Sequence, residues 1–140
     1  MILDITDGIL IKLNEMFGDG YKTYTENVKQ GLQEPCFFIK SLPVITNPLL
    51  GTRKERRYPF DIAFFTQKGN EEKMRVGEQM LDGLEYITLT NGDIVRYLSP
   101  EMEIVDDVLY VSVTYPVILN HVVTEEAMDT IATNIGTKGD

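Results

Sequence analysis

Cysteine and histidine occur once each in this 140-residue sequence, and tryptophan not at all. The lone Cys36 permits no disulfide within the chain and suits a reducing compartment. The one histidine, His121, has no second imidazole with which to share a zinc ion, and Cys36 is far from it in sequence, so no metal site is expected. No apolar run approaches the roughly 20 residues of a membrane-spanning helix. The opening residues, MILDITDGILIK, carry Asp4 and Asp7 and no basic cluster, unlike a secretory signal. A protein made and kept in a cytoplasm, with no membrane partner, is expected. Glycine-rich phosphate cradles and the GxSxG nucleophile turn are missing as well. Cys36 stands between Pro35 and Phe37-Phe38, the setting of a small core residue rather than a reactive thiol. Asp106-Asp107 and the Glu101/Glu103 pair could juxtapose carboxylates, but adjacent strand residues face opposite ways and converge only in a turn. These absences point away from an enzyme and from any cofactor.

Positive charge is scarce too. Thirteen Lys and Arg against 22 Asp and Glu leave a formal net charge of −9. That argues against nonspecific nucleic-acid binding, because phosphate contacts need clustered cations. The cations that are present gather. Arg53, Lys54, Arg56 and Arg57 stand together in RKERR, whereas Glu101 to Asp140 hold eight carboxylates and one cation, Lys138. Such a basic run fits a solvated loop or a segment that docks on an acidic surface. The aromatic residues alternate along apolar runs, a pattern of core packing rather than base stacking.

A chain of this length forms one domain and buries roughly two thirds of its unfolded surface. The boundaries expected are 1–123 for the domain and 124–140 for a polar C-terminal segment, weakly helical over 125–135. Ile5, Ile9, Leu13 and Phe17 recur every four residues and predict a helix over 2–17, ended by Gly18-Asp19-Gly20. Gly8 in its middle either permits close packing or marks a later start. YKTYT at 21–25 is β-prone. Residues 34–66 predict a long hairpin, with strands near 36–42 and 56–66 and a loose, proline-containing loop over 43–54. In the second strand Tyr58, Phe60, Ile62 and Phe64 share a buried face, and Pro59 predicts an edge or a bulge. Asn70 can cap a second helix over 71–85 whose inner stripe is Met74, Gly77, Met80, Leu81 and Leu84, with Glu71 pairing Arg75. Asn91-Gly92 suits a type I′ hairpin turn before a strand at 94–99. A strand at 101–105 follows, and Asp106-Asp107 turns the chain into the longest β run, 108–119. The expected core includes Ile9, Leu13, Phe17, Phe38, Phe60, Ile62, Leu81, Leu84, Val111 and Val113. The order helix, strands, helix, strands predicts an α+β fold: a mainly antiparallel sheet, two helices packed on one face, and a long protruding hairpin arm.

Two segments, NVKQGLQEPCFFIK (27–40) and RRYPFDIAFF (56–65), resemble the phage tail terminator family of phages, prophages and phage-tail-like particles, chiefly of Gram-positive bacteria. The similar order of elements runs from about Ile5 to Asn120. The resemblance implies a structural protein of the virion or tail-like particle. It implies a self-associating ring, commonly a hexamer, on the last disc of the tail tube. Its partners would be the tube protein, the sheath in contractile tails, and the head–neck connector. No sequence-specific nucleic-acid contact and no catalytic residue follow from it. The interface residues expected are Arg53, Lys54, Arg56 and Arg57 with Pro43, Asn47 and Pro48. An acidic body also suits a lumen that passes DNA, but a headless tail-like bacteriocin has none to pass, and both origins stay open. Another neck protein and a small α+β ligand-binding domain are the alternative readings.

Overall fold

The structure, a computed structural model, describes residues 1–25 and 31–120. The start of the first family-like segment, His121, the helix expected over 125–135 and the whole 124–140 segment lie outside the described residues. The elements are α1 (Ile2–Phe17), β1 (Lys22–Tyr24), β2 (Cys36–Ser41), β3 (Ile45–Pro48), β4 (Arg53–Phe65), α2 (Asn70–Gly83), β5 (Tyr86–Thr88), β6 (Ile94–Arg96), β7 (Leu98–Val105) and β8 (Val108–Asn120). The main sheet runs β1-β2-β4-β8-β7, with β3 beside β4 beyond the end of β2, and β5 pairs with β6 apart from it. All pairings are antiparallel except β1 with β2. The fold is the expected α+β arrangement.

Period-two alternation in β4 and β8 builds the core. Tyr58, Phe60, Ile62 and Phe64 of β4 and Leu109, Val111, Val113 and Tyr115 of β8 are all buried on one face. Against that face α1 lays Ile5, Ile9 and Leu13, α2 lays Val76 and Met80, and the β5–β6 hairpin adds Ile87 beside Leu89. Gly8 belongs to the helix, and it is there for close approach: a Cβ on it would lie 3.1 Å from the Thr88 carbonyl oxygen.

Several local expectations are corrected. Phe37 and Ile39, not Phe38, face the core, because the β2–β4 register sets Phe38 opposite Ala63 on the other face. Phe17 and Leu81 pack against the core only in part. In α2 the buried residues are Lys73, Val76, Gly77 and Met80, while Met74 is exposed. The cause is Gly77, where a Cβ would come within 2.9 Å of Met102 Cε and 3.3 Å of Leu109 Cδ1; presenting this small residue to the sheet turns Met74 outward. Asn70 is already helical, with Gly69 as the cap residue, and Arg75 pairs with Glu72 rather than Glu71.

The turns are also redistributed. At Asn91-Gly92 only Gly92 has positive φ (94°), and the Leu89 carbonyl accepts its N–H at 2.9 Å, so the turn is not type I′. The reversal with both central residues at positive φ is Asp106-Asp107, at 50° and 66°, between the paired Val105 and Val108. The strand expected at 94–99 breaks at Tyr97, and β7 bulges between Leu98 and Glu101 around Ser99-Pro100. Pro59 lies inside the sheet rather than at an edge. It sits where the partner of β4 changes from β2 to β3, and its carbonyl accepts the Leu42 N–H at 2.9 Å.

Candidate functional site

β4 is longer than the body of the sheet needs. Its first residues, Arg53 to Arg57, pair with Asn120 to Pro116 of β8 on one side, and Lys54 to Arg57 pair with Pro48 to Ile45 of β3 on the other. The stretch expected as a loose loop over 43–54 is therefore part of a three-stranded arm, and β4 begins at Arg53 rather than Arg56. The extension of β8 to Asn120 supplies the partner that orders it. Gly51, at φ 69°, turns the tip, and Leu50 beside it is 90 % exposed. Thr52 Oγ1 donates to Asn120 Oδ1 at 2.7 Å, and Arg56 Nε donates to Thr46 Oγ1 at 2.9 Å, tying the three strands together.

Strand geometry divides the basic run. Lys54 and Arg56 lie on the side of the arm that continues the core face, with Thr46 and Pro48. Arg53 and Arg57 lie on the opposite side with Asn47, and Arg57 Nε holds Glu55 Oε1 at 2.7 Å. The four cations thus form two pairs on two faces rather than one patch. Pro43 is exposed in the link between β2 and β3, and all four residues of β3 are exposed, Asn47 and Pro48 among them.

The acidic groups sit elsewhere. From Tyr97 to Asn120 the chain has four carboxylates, Glu101, Glu103, Asp106 and Asp107, and no Lys or Arg. Asp106 and Asp107 occupy the turn before β8, at the end of β4 and β8 away from the arm. At roughly 3.3 Å per residue the thirteen residues of β4 place the two ends about 40 Å apart.

Groups that could do chemistry are sparse. Cys36 is buried, and burial followed by the Glu34 carboxylate pushes its thiol pKa up, the opposite of an activated nucleophile. Among the described residues no cluster of His, Cys, Asp and Glu could hold a metal ion. A groove of about 430 Å³ runs between β6 and the arm end of β8, lined among others by Ile94, Val95, Pro116, Val117 and Ile118 and by Arg96, which is held by Glu85. Its walls are chiefly apolar. What sequence reasoning missed here is β3; the signal was the β-branched pair Ile45-Thr46, set between Pro43 and Pro48.

A family model described as phage tail terminator protein matches residues 4–128, a span that includes both helices, the sheet and the arm. No curated protein matches the chain.

Proposed function

The chain belongs to the phage tail terminator family, and on that premise we propose that its copies close into a ring, a hexamer in the simplest case, that caps the tail tube. The family makes it a structural protein of the phage tail, in contact with other tail components. In the proposed role the ring sits on the last disc of the tube. It ends tube growth and, in a contractile particle, sheath growth, and it offers its other face to the neck or head. The observation that supports this reading is the arm: a three-stranded extension of the central strands with cations on both faces, at the opposite end of β4 and β8 from the acidic turn.

A cyclic ring joins two different patches of the same protein. Subunits at −9 repel one another unless they meet at uncharged or oppositely charged surfaces. Arg53, Lys54, Arg56 and Arg57, with Pro43, Asn47 and Pro48, form the contact surface of the arm. They dock on an acidic surface of a neighbour or of the tube below. Rim ion pairs contribute only about 0–1 kcal/mol each, so the test changes all four cations to Glu at once. The expected outcome is near-normal thermal unfolding of the subunit with tubes left uncapped and overlong in electron micrographs. Normal tube lengths with this variant would return the cations to the role of a solvated surface. The same micrographs separate a terminator from another neck component by where the protein sits.

A further inference from the structure

We propose that the ring is closed by backbone pairing between arms, with the outer edge of β3 in one copy adding to the outer edge of the last residues of β8 in the next. This rests on the ring reading above and specifies its seam.

Both edges are unpaired among the described residues. β3 pairs only with β4, and β7 leaves β8 at the Leu98–Thr114 pair, so Pro116 to Asn120 pair only with β4. The direction of the backbone groups follows from the hydrogen bonds. Leu49 donates its N–H to the Arg53 carbonyl at 2.9 Å, so alternation turns Asn47 toward β4 and turns Thr46 and Pro48 outward. On β4 the Pro59 carbonyl accepts from Leu42; hence Arg57 and Glu55, in the same phase, face β3. Their β8 partners Pro116 and Ile118 consequently face away from β4. Each edge thus presents a complete outward amide, at Thr46 and at Ile118, next to a proline that presents only a carbonyl.

Edge strands in soluble proteins are guarded by charge, and the outer strands of the main sheet show it: Lys22 in β1, Glu101 and Glu103 in β7. The arm edges do not. Residues 44–50, VITNPLL, and 116–120, PVILN, contain no charged side chain. Two such edges are where subunits of net charge −9 can meet without repulsion.

The two edges are on opposite sides of the arm, so their union is head-to-tail and closes by rotation. β3 and β8 both run antiparallel to β4 and therefore run the same way. Rotation about an axis along the strands sets β3 of one copy parallel to β8 of the next and preserves height, and the registers place Asn47 level with Glu55 and Ile118. On one face the neighbour's Ile45, 54 % exposed in the subunit, then lies level with Pro116, and Asn47 lies level with Ile118, 49 % exposed. On the other face Thr46 and Pro48 meet Val117 and Leu119, over the groove beside β6.

The test uses the full chain. Thr46→Pro and Ile118→Pro each remove one outward donor. The backbone accepts proline in this phase at Pro48 and Pro116; Thr46→Pro also removes the Arg56 side-chain bond, so Thr46→Val, which loses that bond but keeps the outward N–H, is its control and should retain the ring. Each proline variant is expected to leave thermal unfolding of the subunit close to wild type and to abolish the ring in light scattering. Asn47→Cys with Ile118→Cys in one chain, the pair the register sets level, should give a ladder of cross-linked species under mild oxidation, with buried Cys36 silent, while either cysteine alone gives none. Rings that persist with both prolines and show no ladder overturn the seam alone, as does a cross-linked dimer from Asn47→Cys by itself. A wild-type chain that stays monomeric at all concentrations and on tail tubes overturns the ring, and the seam with it.

Discussion

Tyr115 is fully buried under the sheet, and its hydroxyl donates to the Leu84 carbonyl at 2.6 Å; Tyr97 does the same for Leu81 at 2.7 Å. Both carbonyls belong to the C-terminal turn of α2, where no intrahelical donor remains. Burial raises the pKa of both phenols, by far the more for Tyr115. An unfolded tyrosine releases its proton near pH ~10, whereas the folded Tyr115 keeps it. Above that pH the unfolded state therefore binds fewer protons, and stability falls as pH rises; below it the contribution is intact. Denaturant unfolding followed upward from about pH 9 should show a loss approaching about 1.4 kcal/mol per pH unit from this one group. Tyr115→Phe should cost about 1–3 kcal/mol at neutral pH by stranding the Leu84 carbonyl, and should flatten the alkaline slope. A slope unchanged in Tyr115→Phe would assign it to other groups.

The two helices meet where Met16 crosses Gly83: a Cβ on that glycine would lie 1.8 Å from Met16 Sδ. Alanine gains at most about 1 kcal/mol over glycine in a helix, and overpacking costs typically about 1–3 kcal/mol, so the clash decides. Gly83→Ala should destabilise by about 1 kcal/mol, and in a Met16→Ala background it should become neutral or stabilising, as a double-mutant cycle by urea unfolding would show. Elements of this kind were legible in the sequence to different depths. α1, β4 and β8 carry apolar residues in a single phase, so their buried faces could be read directly. β2 could not be phased, because Cys36, Phe37, Phe38 and Ile39 are apolar on both sides and only the pairing with β4 chooses. The stripe of α2 was misread at Met74, because the approach of Gly77 to Met102 and Leu109 that turns the helix comes from distant residues. β3 was hidden by its prolines, since a strand of four residues exists only through its partner. The basic run was visible as a run, and its division into two faces follows from period two once 53–57 is known to be strand.

Charge and shape are polar at the scale of the whole molecule, with a basic arm at one end of β4 and an acidic turn at the other. The proposed uncharged seam between acidic subunits and the proposed cationic contact to an acidic surface respond to salt with opposite sign. Raising salt from about 0.05 to about 0.5 M shortens the screening length severalfold; the ring fraction in light scattering should rise while capping of tubes weakens. Rings that fall apart as salt rises would mean that ion pairs, not uncharged edges, hold them. The continuity of β4 from tip to body also governs how the subunit bears a mechanical load. A pull on the tip along the strand is shared by the twelve cross-strand pairs with β8, all strained together in shear. A sideways tug on β3 opens its four pairs one after another. Under tension the arm therefore yields at its outer strand first, and in the proposed ring a wrenched subunit loosens its hold on a neighbour while its body stays folded.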